Sequence, residues 1–195
     1  NIISTMTTKQ LTKIENYVKK ATINVDSQHG YPHLLRTKNT ATQIVNLLKL
    51  NSKIDINLQQ AACLLHDIHH IKYKPSFLNW LRESKLLHQV LPPVLEQFNL
   101  NESDRYILSE AVYKHTFSFP FRLLNKKYPL YAQIVQDADT LDFLSEIRIL
   151  DLKKNKNKSR FYRFLSLISG LAKYGQKNIK TRLNIPEIID HLIQN

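Results

Sequence analysis

Three observations predict an all-α fold. Apolar residues recur at spacings of three and four along the chain, no segment alternates apolar with polar side chains as a strand would, and only 3 of 195 residues are Gly. Leu11, Ile14, Tyr17 and Val18 form the stripe of a first helix. A second begins near Pro32, where a missing N–H costs nothing in the first turn, and runs through Ile44, Leu47, Leu48 and Leu50. Asp55 or Asn57 can cap a third helix, through Leu58 to His69, and Pro75 suits the first turn of a fourth carrying Phe77, Leu78 and Leu81. Pro92 and Pro93 should then interrupt or kink the pattern. Asn101-Glu102-Ser103-Asp104 reads as the cap of a helix through Ile107, Leu108, Ala111 and Val112 to His115, followed by a Pro-containing loop at Phe119 to Arg122. A helix over Pro129 to Leu150 follows, then a polar loop over Lys153 to Arg160, a helix from Phe161 to Tyr174 and a last one from Pro186 to Ile193.

Composition excludes several classes. At 43% hydrophobic and 23% charged, the chain can bury a sizeable core and does not resemble a disordered polymer. Three Gly and seven Pro are too few for collagen or for a glycine-rich phosphate loop. The single cysteine, Cys63, lies in the apolar run Ala61 to Leu65, where it reads as a small buried thiol and gives no sign of an oxidising compartment. No run of about 18 apolar residues suggests a membrane span, so a cytoplasmic protein is expected.

The net charge of +12 is concentrated. Ten Lys or Arg and no acid fall between Lys153 and Arg182, leaving 18 basic residues against 16 acidic ones elsewhere. Residues 1–152 are therefore expected to form the helical core, and 153–195 a basic helical extension packed on the same domain. Such a segment attracts phosphate-rich partners, nucleic acid included, or is simply a solvated face.

The polar side chains of interest interrupt apolar helix. His66-Asp67 closes the run Ala61 to Leu65, His33 follows Tyr31-Pro32 at a helix start, His115 ends Ala111 to Lys114, and Asp137, Asp139 and Asp142 follow Ile134-Val135. A polar group among apolar neighbours needs something to satisfy it. Imidazoles and carboxylates from separate helices can enclose a divalent cation while leaving coordination positions open, an arrangement suited to hydrolysis.

Four stretches, taken in order, carry a resemblance. They are His33-Leu34-Leu35-Arg36 with Ala41 downstream, Ala61 to Ile68 around His66-Asp67, Ala111 to Phe119 around His115, and Ile134 to Asp142 with Gln136-Asp137-Ala138-Asp139. Over about residues 25 to 150 the chain resembles the HD-domain metal-dependent phosphohydrolase superfamily, in particular its small bacterial members with the late Gln-Asp-Ala-Asp motif. The resemblance implies an all-α HD-domain helical bundle that hydrolyses a small phosphate ester, with a nucleotide as the leading substrate class. It puts the metal ligands on His33, His66, Asp67 and Asp137, holding one divalent ion of Mn, Fe, Co, Ni, Zn or Mg.

The chain also departs from that pattern. His69-His70 stands where many relatives carry Gly and then Lys or an acid, and Thr140 follows Asp139 where Arg is frequent. A carboxylate used by relatives for proton transfer is thus missing after the pair, and His70 or His115 could replace it beside Asp67. His88 and His115 lie in a suitable order to hold a second ion. A zinc site built locally from His66, His69 and His70 lacks any further sequence element to fix it. Arg36, Lys72, Lys74, Lys114 and Arg148 are candidates for holding phosphate, and Trp80, Tyr73 or Phe117 for stacking on a base. The competing reading is a nucleic-acid-binding or regulatory module with a degenerate core and a basic tail. The sequence leaves the oligomeric state open.

Overall fold

Several helices start where the sequence offers a side chain for their free N–H donors, and the second opens with a proline that lacks one. In the computed structural model, which describes residues 6–116, 128–167 and 177–192, Thr7 and Gln10 form a reciprocal capping box ahead of α1 (Thr8–Ala21). Pro32 occupies the first turn of α2 (Tyr31–Leu47). Asp55 accepts from Leu58 N at the start of α3 (Ile56–Leu65), and Asn101 accepts from Asp104 N at the start of α6 (Glu102–Lys114). Between them lie α4 (Phe77–Leu81) and α5 (Glu83–Leu95). After α6 come α7 (Leu130–Phe143), α8 (Glu146–Asn155), α9 (Arg160–Leu167) and α10 (Ile188–Leu192), and no strand occurs among the described residues.

The core forms around α3, whose side chains from Leu58 through Leu65 are nearly all buried, as its apolar composition demands. Helices α1, α2, α6 and α7 pack against it through Ile14, Val18, Leu34, Ile44, Leu108, Val112, Ile134 and Val135. Burial pushes the Cys63 thiol up to about 12, so it is a packing group and not a nucleophile.

Several local expectations are corrected. The third helix stops at Leu65, and Ile68–Ile71 form a separate 3-10 turn, because Asp67 adopts φ −102° and ψ 16°. Pro75 lies outside α4, which Ser76 caps. Pro92 and Pro93 do not break α5; both are exposed, so the carbonyls they leave unpaired one turn back are open to water. The expected helix from Pro129 to Leu150 is two helices, because Ser145 turns extended and caps α8. That second helix runs to Asn155, which shortens the polar loop that was expected from Lys153 and places residue 152 inside a helix. The loop expected at Phe119 to Arg122 and the helix end at Tyr174 lie outside the described residues.

In the basic segment, Lys153, Lys154, Lys156, Lys158, Arg160 and Arg163 are exposed, while Leu183, Ile188 and Ile189 bury in the main core. Among the described residues no helix is long and apolar enough to cross a membrane.

Candidate metal centre

Two histidines are held by their outer nitrogens so that their inner ones meet. His33, in the first turn of α2, donates from Nδ1 to Asp142 Oδ2 at 2.7 Å, and His66, just past α3, donates from Nδ1 to the Cys63 carbonyl at 2.7 Å. This assignment leaves a lone pair on each Nε2, and the two atoms face each other at 3.1 Å. Both rings are 0% exposed. Around them stand two carboxylates. Asp67 Oδ2 lies 3.5 Å from His33 Nε2 and 3.7 Å from His66 Nε2, while Asp139 Oδ1 lies 3.5 Å and 3.9 Å from the same atoms.

The electrostatics keep this set ready to coordinate. Burial pushes the His66 imidazole down to about 4; Asp67 opposes that and the neighbouring rings of His115 and His33 add to it. Burial alone would raise the Asp67 carboxyl, but His66, His33, His70 and His29 hold it well below the usual carboxylate range. Two imidazole lone pairs and two carboxylates are the mixed nitrogen and oxygen set that divalent first-row cations take. Bonds of about 2.1 Å set at right angles would space such donors roughly 3 Å apart, so the donor set fits an ion.

Asp142 organises the outer layer. Burial would raise its carboxyl, yet His33, Arg36 and Arg148 hold it far below the ordinary range. Arg36 binds it through Nε and Nη2, and Arg148 reaches Oδ2 through Nη1 at 3.0 Å while donating from Nε to Gln28 at 2.7 Å. Arg36 is thus occupied in orienting the carboxylate that orients His33.

Asp137 is not brought to this cluster. Its carboxylate accepts from the backbone N–H groups of Asn184 (2.7 Å) and Ile185 (2.8 Å) and from Asn184 Nδ2 (2.9 Å). Two residues along a helix turn through about 200°, so Asp137 and Asp139 project to opposite sides of α7. Asp139, and not the expected Asp137, is the aspartate that the structure places beside His33 and His66. The signal that could have found it is the three-residue spacing to Asp142, which places Asp139 and Asp142 on one face.

The cluster opens onto a small cavity of about 110 Å³. Asp67, Asp139, His69, His70, Glu83, His115 and Arg148 contribute its polar lining, and Trp80, Phe143, Phe161 and Leu165 form an apolar wall. His115 packs edge-on against His66 and donates from Nδ1 to the Val112 carbonyl, and its Nε2 lies 3.2 Å from Glu83 Oε1. Burial would lower its pKa, but Glu83 and Asp67 raise it to about 9, which favours the charged ring. Glu83, at the positive end of α5, was invisible in the sequence, lying 16 residues beyond Asp67 with no spacing to mark it.

Other candidates lie elsewhere. Lys114 pairs with Glu110 on the outside of α6, and Lys72 is exposed with its ammonium over Tyr73; neither lines the cavity, and neither does Arg36. Tyr73 donates its hydroxyl to Gln89. His88 donates to the Ser84 carbonyl and stacks on Tyr113 at 3.7 Å, so it does not join His115 in holding a second ion. Phe117 lies outside the described residues.

The HD domain family model matches residues 30–144, the interval from the residue before α2 to the end of α7. The chain belongs to the HD domain family. The family is one of metal-dependent phosphohydrolases, and the buried His33, His66 and Asp67 are a group able to hold its divalent ion. No curated protein matches the chain. A Lactobacillus plantarum protein, solved as a structural-genomics target, matches with a TM-score of 0.55 and 28% identity over 75% of this chain. The match covers 62% of the Lactobacillus plantarum chain.

Proposed function

We propose that the protein hydrolyses the phosphate ester of a small metabolite, with a nucleotide as the leading substrate class. The observation that carries this reading is the pair of fixed Nε2 lone pairs facing each other beside Asp67 and Asp139, at the floor of a cavity. His33, His66, Asp67 and Asp139 would hold the divalent ion. When bound, such an ion acidifies water and neutralises charge on a phosphoryl oxygen.

The chain's own residues supply the rest. Arg148, buried at the cavity and already held by Asp142 and Gln28, offers positive charge to a phosphate with little further side-chain ordering. The Glu83–His115 pair is the proton-transfer device that the sequence after His66-Asp67 lacks. His115 carries the proton, and Glu83, on the cavity wall, passes it to the leaving oxygen or takes one from water. His70 is less suited to that role, because burial and its neighbours His29 and His69 push its pKa well below the ordinary value. Trp80 and Phe161 give the organic part of the ester an aromatic surface.

Turnover of an aryl phosphate and a panel of nucleotides, with Mn, Co, Ni or Mg added, tests this. Activity should vanish on chelation, return with metal, and be absent in Asp67→Ala. Activity that survives both treatments overturns the reading.

A further inference from the structure

The three-residue cluster on the other side of Asp67 repeats the construction of the first. His29, in the turn before α2, places Nδ1 3.2 Å from Asp26 Oδ1, and His70 places Nδ1 3.0 Å from the Tyr73 carbonyl. The first centre has the same two anchors, a carboxylate behind His33 and a backbone carbonyl behind His66. With both Nδ1 atoms engaged, Nε2 is the nitrogen each ring has left to coordinate. The ligand atoms of His29, Asp67 and His70 lie within 4.8 Å of one another, as do those of His33, His66 and Asp67. We propose that His29, Asp67 and His70 form a second divalent-cation site beside the first, with Asp67 serving both.

The surroundings are built to hold this arrangement. Asp26 accepts from the Gln28 N–H at 2.9 Å and its carbonyl accepts from Gly30 N at 2.7 Å, so the turn that carries His29 is closed on itself. A Cβ at residue 30 would stand 2.8 Å from the Asp26 carbonyl oxygen, which is why Gly is required there. The His29 and His70 rings lie 4.1 Å apart, and both line the cavity, so an ion between them keeps positions open to water and substrate. Two ions sharing one carboxylate would clamp both the attacking and leaving oxygens of a phosphoryl ester, the arrangement that two-metal hydrolases use. The site gives a role to His70, which the single-ion reading leaves without one.

A third triad, Asp67 with His69 and Glu83, is also close enough to coordinate, and His69 Nδ1 is buried with no hydrogen-bond partner. Glu83, however, already faces His115 Nε2 at 3.2 Å, so an ion there would have to share it.

The experiment is Mn(II) titration of metal-free protein, read by bound equivalents and by the electron paramagnetic resonance of the bound ion. The wild type should bind two equivalents, the second broadening the signal of the first because ions bridged by one carboxylate couple magnetically. His29→Gln and His70→Gln should each bind one equivalent with an uncoupled spectrum and unchanged circular dichroism. His33→Gln should lose the other equivalent, so the two sites fail separately. One equivalent in the wild type, abolished by His33→Gln, overturns the second site and leaves the first standing. Two equivalents retained in both His29→Gln and His70→Gln, or lost instead in His69→Gln, also overturn it. His29 lies on a turn outside the helices, so its variant keeps the test available if the His70 variant fails to fold.

Discussion

The two sides of α7 carry the same side chain for opposite purposes. Asp139 faces His33 and His66, with its Oδ1 3.5 Å and 3.9 Å from their Nε2 atoms. Asp137 faces away and gathers three N–H donors from Asn184 and Ile185, pinning the start of the C-terminal segment to the core. A carboxylate saturated by N–H groups has its charge already spent in structure, whereas one set among lone-pair donors needs a cation. The surrounding partners, and not the residue type, decide which aspartate stands beside the histidine pair.

The largest effect should come from breaking the cation side. Asp139→Asn should weaken Mn(II) binding at His33 by more than about 100-fold, beyond what loss of an outer-layer partner usually costs, with the thermal midpoint little changed. Asp137→Asn should do the reverse. Replacing a buried carboxylate that accepts several N–H groups costs about 2 kcal/mol in urea unfolding, while metal binding per folded molecule stays at the wild-type value. A thermally stable Asp137→Asn that has lost its metal would contradict the division.

The outer layer sharpens the comparison. Asp142→Asn removes the charge and one of the two acceptor oxygens that His33, Arg36 and Arg148 share, and should cost 10- to 100-fold in metal affinity, measured by competition with a chelator. If Asp142 merely holds α7 to α2, only the thermal midpoint will move.

A smaller effect concerns acid. Burial would raise the Asp26 carboxyl, but His29, Tyr162 and the Gln28 N–H hold it below its ordinary value. A carboxyl depressed in the folded state contributes stability above its unfolded pKa of about 3.9, and that contribution is lost as pH falls toward the folded value. The stability difference between wild type and Asp26→Asn should therefore be full at pH 6 and shrink below pH 4. A difference that is constant across that range would show that Asp26 acts by packing alone. The smallest change is expected at the surface: Lys153→Gln with Lys154→Gln should shift unfolding by no more than about 0.5 kcal/mol.

Much of this was legible in the sequence. Caps at Asp55 and Asn101, the proline at the start of α2 and the apolar stripes located most helices, because those signals act within one turn. His33, His66 and Asp67 could be found because a histidine or aspartate in apolar helix is conspicuous. The facing of α7 was marked only by the three-residue spacing of Asp139 and Asp142, since Ile134, Val135 and Ala138 bury the helix on several sides and no longer polar stripe sets its phase. Glu83 and His29 come to the cavity from a helix start and a turn, and only tertiary packing brings them there. The break at Ser145 is not legible because apolar Leu144 and Ile147 continue the helical spacing across it.

The most direct measurement of the central claim is an anomalous difference map from a crystal grown with Mn(II). The account predicts a peak enclosed by His33 Nε2, His66 Nε2, Asp67 and Asp139, with none near Asp137. A peak at Asp137, or fully ordered His33 and His66 with no peak between them, would contradict it.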